Sequence, residues 1–229
     1  MPADSIEGAA GLLYAVGEEV WDMDVFRTEA LAAGALRYGT LSFAQGETVF
    51  ICGPSGCGKT TFLRLLNGTR NSTEGAVYYR GRDIRDLDKA ALRRRVVMGG
   101  QSVFLFPGSV MDNMARYHAF HGTPAPRADE VKEFLWLCGS PAGLHAPCEA
   151  MSGGERQRIF LAIMVSMAPD VLLLDEPTAS LDHALAMALM GRLISYAKEK
   201  QITMIAVTHD EELAEKAGDR VLRLERGEG

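Results

Sequence analysis

Four cysteines are scattered through 229 residues, and no two form a C-x-x-C pair. Cys52, Cys57, Cys138 and Cys148 therefore suggest no zinc site. They read as reduced thiols in a cytosolic compartment. Positive charge is also short: 24 Lys and Arg stand against 30 Asp and Glu, a net charge of −6. That balance argues against a nucleic-acid-binding surface. Long apolar runs are missing. The longest, Ile159 to Ala168, is interrupted by Ser166 and is too short to span a bilayer. The N-terminus lacks the basic-then-apolar layout of a signal peptide. No internal repeat or low-complexity segment stands out. These absences predict a soluble chain whose contact with a membrane comes only through a partner. What remains is 47% hydrophobic, enough for one large α/β domain with a subdomain.

The most informative stretch is Gly53-Pro54-Ser55-Gly56-Cys57-Gly58-Lys59-Thr60-Thr61. It fits G-x-x-x-x-G-K-[ST], a phosphate-binding loop. Glu47 to Cys52 before it reads as a short buried strand, and Thr61 to Leu66 after it as the start of a helix. Strand, loop and helix are the context this motif needs. Glycines let backbone N–H groups turn inward around phosphate oxygens, and the helix N-terminus favours anions. Lys59 is placed to reach the β- and γ-phosphates and the Thr60 hydroxyl to ligate Mg²⁺. A nucleoside triphosphate is implied; its use is not.

Along the chain, Val20–Phe26 alternates as a strand does, and Leu41–Phe43 and Ala76–Tyr79 read as further strands. Lys89 to Arg95 is a basic helical piece leading into strand Val96–Met98. After Gln101 the pattern turns helical. An apolar loop, Phe104–Gly108, precedes predicted helices at Val110–Tyr117 and Ala128–Cys138, and a third runs from Ser152-Gly153-Gly154 to about Met167. Val171–Asp175 and Ile202–Val207 are continuous apolar runs, as in strands buried on both faces. In the helix that follows Val171–Asp175, Ala186, Leu189, Met190, Leu193, Ile194 and Ala197 fall on one face. Helix Glu211–Ala217 and strand Val221–Leu224 close the chain, and no C-terminal regulatory domain is expected. The fold class is α/β with a mostly parallel sheet, a small antiparallel β region on the N-terminal side and a helical insertion. One domain spans 1–229, with 1–100 and 169–229 as the nucleotide-binding core and 101–168 as the insertion.

Hydrolysing a triphosphate takes a second Mg²⁺ anchor, a group to orient water and a sensor of the γ-phosphate. Asp175 ends an apolar strand, so its carboxylate emerges at the edge where the phosphate loop sits and can hold Mg²⁺. Glu176 beside it can polarise the attacking water. His209 emerges after another strand on that edge and can reach the γ-phosphate. Gln101, just past Val96–Met98, can ligate Mg²⁺ or position water. Ser152-Gly153-Gly154 opens a helix and forms a second anion-binding end. Two phosphate sites in one chain fit either two phosphates or two copies paired head to tail.

Taken together, these motifs resemble the ATP-binding cassette (ABC) ATPases over nearly the whole chain. Gly53–Thr60 matches Walker A, Gln101 the Q-loop, Met151-Ser152-Gly153-Gly154-Glu155 the signature, and Val171–Asp175 with Glu176 Walker B. Ser180-Leu181-Asp182 matches the D-loop and His209 the switch histidine. The resemblance implies ATP and Mg²⁺ as cofactors, a head-to-tail dimer of ATPase subunits, and an integral membrane permease subunit docked near Phe106 and Pro107. Its nucleotide contacts would include Ser152, Gly153, Gly154, Glu155 and Asp182, and the location implied is the cytoplasmic face of the cell membrane. No nucleic-acid partner is expected. Two departures stand out: Glu155 replaces the usual signature Gln, adding negative charge near the partner's nucleotide, and Met151 replaces Leu. The best candidate for the adenine-stacking aromatic is Phe26, with Trp21 and Tyr14 behind it; a core role for Phe26 is the equal alternative. The loop Leu105–Val110 looks somewhat like compact export-type ATPases, including a bacterial iron exporter. The alternatives are a non-transport ABC ATPase of DNA repair or translation, and a small-molecule kinase. The first usually carries coiled coils, zinc modules or two cassettes, and the second leaves Ser152–Gly154 and Ser180–Asp182 unexplained.

Overall fold

A computed structural model describes residues 24–225. Five parallel strands form the central sheet in the order β6-β7-β8-β3-β9: β6 Val96–Gly99, β7 Val171–Asp175, β8 Thr203–Val207, β3 Thr48–Cys52 and β9 Arg220–Arg223. Strands β3, β7 and β8 are buried at every position. Their two faces feed two different cores, as period-2 alternation demands. Phe50, Cys52, Leu172, Leu174, Met204 and Ala206 face a core shared with helices α3 (Val110–His121), α4 (Ala128–Leu137), α5 (Gly153–Ser166) and α6 (His183–Glu199). Val49, Ile51, Val171, Leu173, Ile205 and Val207 face the other core, shared with helix α1 (Lys59–Leu66).

A second, antiparallel sheet covers that other face in the order β2-β1-β4-β5: β1 Asp24–Ala33, β2 Leu36–Ala44, β4 Glu74–Tyr79 and β5 Arg82–Asp83. It is much longer than Leu41–Phe43 suggests. Residues 27–33 carry three alanines, poor strand formers, but β1 is paired along both edges, to β2 and to β4. The predicted strand at Val20–Phe26 falls partly outside the described residues, and the strand that is described begins at Asp24 and runs on to Ala33. Asp170, at the entrance to β7, ties the two sheets together. Its carboxylate accepts from the Tyr79 hydroxyl and pairs with Arg80 at 3.2 Å and Arg95 at 3.5 Å. Burial, helped by that hydrogen bond, pushes the Tyr79 phenol up to about 12.

Helix α2 (Lys89–Arg95) leads into β6, and α3, α4 and α5 all fall between β6 and β7. Helix α7 (Glu211–Ala217) connects β8 to β9. No helix among the described residues is long and apolar enough to cross a membrane.

Candidate nucleotide site

The loop after β3 is shaped by glycine. Gly53 has φ +148°, and a Cβ there would lie 2.2 Å from the Leu224 carbonyl oxygen. Gly58 has φ +100°, and a Cβ there would meet the Tyr38 hydroxyl at 2.7 Å. Both positions exclude side chains, so the backbone alone lines the turn. Gly58 also N-caps α1 without a side-chain acceptor. The first N–H groups of α1 are therefore left for an external acceptor such as phosphate. Lys59 is buried, and its ammonium donates to the carbonyls of Gly53 at 2.6 Å and Pro54 at 3.0 Å. The charge is thus held inside the loop.

Strand order brings the other predicted groups alongside. β6, β7, β8 and β3 are neighbours, and all end at one edge. Val207 is the register partner of both Asp175 and Ile51. From that edge emerge Gln101 after β6, Asp175 and Glu176 from β7, His209 after β8, and the phosphate loop after β3. Gln101 is exposed on its loop. Asp175 is 2% exposed, and its Oδ2 accepts from the Thr60 hydroxyl at 2.8 Å. Its Oδ1 is buried with no hydrogen-bond partner. A buried, unpartnered carboxylate oxygen beside a hydroxyl is an oxygen-donor set of the kind Mg²⁺ takes. Burial raises the Asp175 pKa, and the Thr60 hydrogen bond only partly opposes it.

That burial has a measurable consequence. The folded chain holds the Asp175 proton more tightly than the unfolded chain does. The fold therefore loses stability as pH rises from the ordinary carboxylate range through the raised folded value. Asp175→Asn removes the penalty. Without nucleotide, the variant is expected to unfold about 2–4 °C higher at pH 7, with the gain gone by about pH 4. Calorimetric scans at the two pH values measure it, and a midpoint at pH 7 equal to or below the native one refutes the burial penalty.

Glu176 has φ +54°, in the left-handed region. A non-glycine residue held there costs about 1–3 kcal/mol, and such strain clusters at functional sites. Its N–H donates to the Val207 carbonyl at 3.1 Å, and its Oε1 lies 3.0 Å from His209 Nε2. The two side chains line a cleft of about 220 Å³ with Thr178, Leu181 and Thr208.

Ser152 N-caps α5 in a capping box with Glu155. The Ser152 N–H and hydroxyl donate to Glu155 Oε2 at 2.9 and 2.7 Å, and the Glu155 N–H donates to Ser152 Oγ. These bonds hold the Glu155 carboxyl below its ordinary pKa. Glutamate at this position is therefore also a helix cap. Gly154 packs on Leu181 and the Ser180 carbonyl, so Ser152–Gly154 sits against Ser180–Asp182.

Residues 36–179 match the family model described as ABC transporter. The chain belongs to this family. It is 38% identical over 194 residues to a sulfate/thiosulfate import ATP-binding protein of Chromobacterium violaceum, covering 84% of this chain and 52% of that one. A methionine import ATP-binding protein of Paraburkholderia xenovorans is 34% identical over 206 residues, with 88% and 53% covered. The chain thus spans about half the length of these curated relatives. Among solved structures it resembles the dimeric, post-hydrolysis state of the ATP-binding cassette MJ0796 bound to ADP and Pi. The TM-score is 0.76 and the identity 28%, over 89% of this chain and 97% of that one.

Within this ABC cassette, two assignments read differently in three dimensions. Phe26 cannot serve as the adenine-stacking aromatic in this arrangement. It is fully buried in β1 with its ring 5.3 Å from Tyr79, so neither face is open to a base. Trp21 and Tyr14 lie outside the described residues. Asp182 caps α6, its Oδ1 accepting from the Leu185 N–H at 2.9 Å. Sequence reading also missed Asn113. Its buried amide accepts from the Phe106 N–H at 2.8 Å and donates to the carbonyls of Phe106 and Ser109, fixing the loop around Pro107. A polar residue one position before Met114, on the buried side of α3, was the available signal. That loop and α3 carry an aromatic patch. Phe104 and Phe120 are 58% and 75% exposed, and Phe106 touches both rings.

Proposed function

We propose that this chain is the ATP-binding and ATP-hydrolysing subunit of a membrane ABC transporter, working as a head-to-tail dimer of ATPase subunits. The observation that carries the reading is the shared strand edge, where Thr60 meets Asp175 and Glu176 meets His209 beside the glycine-shaped loop. The loop from Gly53 to Thr61 binds the phosphates through backbone N–H groups. Lys59 adds a point charge at the β- and γ-phosphates. Thr60, Asp175 and Gln101 would hold Mg²⁺, which supplies charge neutralisation between the phosphates. Glu176 orients and deprotonates the attacking water, and His209 holds Glu176 in place and reaches toward the γ-phosphate. Ser152, Gly153, Gly154 and Glu155, with Asp182 behind them, face the nucleotide of the second subunit.

The aromatic patch of Phe104, Phe106 and Phe120 is the docking surface for an integral permease subunit, which places the protein on the cytoplasmic face of the membrane. Large apolar side chains exposed together mark such contacts. In line with this, the relatives named above are import ATP-binding proteins. The tagged chain, purified from detergent-solubilised membranes of its native host, is expected to bring down a stoichiometric multi-span membrane protein, identified by mass spectrometry. Recovery only from the soluble fraction, with ribosomes, DNA or nothing, moves the reading to a non-transport ATPase.

A further inference from the structure

Arg70 stands just past α1, on a turn that folds the chain back along the helix. The N–H groups of Thr69 and Arg70 both donate to the Arg64 carbonyl at 3.0 Å, and Gly68 takes φ +65°. This turn returns the Arg70 guanidinium toward the start of α1, where it donates to the Thr61 hydroxyl at 3.3 Å. Thr60 and Thr61 are adjacent, and one step around a helix is about 100°. The Thr60 hydroxyl faces Asp175, so the Thr61 hydroxyl faces a different side of the loop's exit. Tyr38, whose hydroxyl donates to the Gly58 carbonyl, lies on that side, and its phenol feels the Arg70 charge.

Contact with Thr61 sets Arg70 apart from the cations around it. It lines a cavity of about 330 Å³ with Leu65, Asn71, Arg85 and Lys89. Arg85 is paired with Asp83 at 2.6 Å, and the Lys89 ammonium donates to the Ile84 carbonyl. Among the described residues Arg70 has a hydroxyl partner and no carboxylate within ion-pair distance. A guanidinium at the mouth of a phosphate loop, held only by a neutral group, is free to take a phosphate oxygen.

We propose that Arg70 is a further nucleotide-binding residue, supplying positive charge at the α-phosphate end of the polyphosphate, remote from the metal end marked by Thr60 and Asp175. The assignment rests on the phosphate-loop reading. A cation at that end meets ATP and ADP alike, because both carry the α-phosphate. This separates it from Lys59, which reaches the γ-phosphate.

Isothermal titration of the purified chain with MgATP and, separately, MgADP tests it. Arg70→Gln is expected to weaken both by a similar factor of roughly ten, the usual size of a charge-assisted contact. Arg70→Lys should recover most of the loss, with the unfolding midpoint unmoved in both variants. Unchanged affinities overturn the proposal. So does a loss confined to ATP, which would put the guanidinium at the γ end. Lys59→Ala serves as the control. If it loses MgATP while Arg70→Gln does not, the Arg70 assignment alone fails. If Lys59→Ala binds MgATP as the native chain does, the phosphate-loop reading fails with it.

Discussion

Glu176→Gln is expected to cut ATP turnover about a hundredfold or more, the scale of a lost general base, while MgATP still binds and a dimer accumulates. The substitution keeps the side chain's size and leaves an oxygen to face His209 Nε2, now 3.0 Å from Oε1. It also keeps the backbone that places Glu176 at φ +54° and its N–H on the Val207 carbonyl. What it removes is the negative charge that can take a proton from water. In the proposed site, binding would depend on other groups: the loop N–H donors, Lys59 and the Thr60–Asp175 pair. Chemistry and association are thereby separated. Phosphate release under single-turnover conditions reads the first, and light scattering with millimolar MgATP reads the second. Native turnover in the variant removes Glu176 from the reaction. A variant that stays monomeric removes the dimer from the mechanism.

The parts of this site that the sequence announces are those where one residue type has one physical job. An apolar run ending in Asp175-Glu176 reads as a buried strand delivering carboxylates to a sheet edge, and β7 is that strand. The glycines of the phosphate loop are legible because no other residue tolerates the turn at Gly53. The hairpin of β1 and β2 was not legible in full, because its alanines carry no strand signal and its existence depends on pairing with β4. Phe26 misled for a related reason. Alternation shows that an aromatic residue has a covered face, but not whether the cover is core or ligand. Arg70 looks like any surface arginine until the turn after α1 carries it back to Thr61. Asn113 looks like a helix polar residue until its amide is seen to close the Phe106 loop. Glu155 reads as an added charge in the linear motif, whereas the capping box with Ser152 gives it a local partner.

That cap bears on the second large effect. Ser152→Arg is expected to abolish the ATP-dependent dimer, and with it nearly all turnover, while MgATP affinity at the phosphate loop stays near native. Loss of the cap costs the fold about 1 kcal/mol, too little to unfold a helix that buries Ile159, Leu161, Ala162 and Ile163 completely. Helix α5 packs on β6, whereas the phosphate loop follows β3. β7 and β8 separate those strands, a lateral offset of roughly 14 Å at the usual strand spacing. A side chain at Ser152 therefore disturbs the phosphate loop of its own chain little. In the proposed head-to-tail dimer the same position would face the other subunit's nucleotide; the N-terminus of α5 is open there, and a Cβ on Gly153 would meet nothing within 4 Å. An arginine there fills the space the second nucleotide needs. Placed in the Glu176→Gln background, where the dimer is trapped, the substitution should return the scattering mass to that of one chain. Ser152→Ala, which removes the hydroxyl without adding bulk, should leave a weakened dimer. If Ser152→Arg also loses MgATP binding, Ser152 acts on the nucleotide of its own chain, and a head-to-tail arrangement no longer explains why one chain carries two phosphate-facing helix ends.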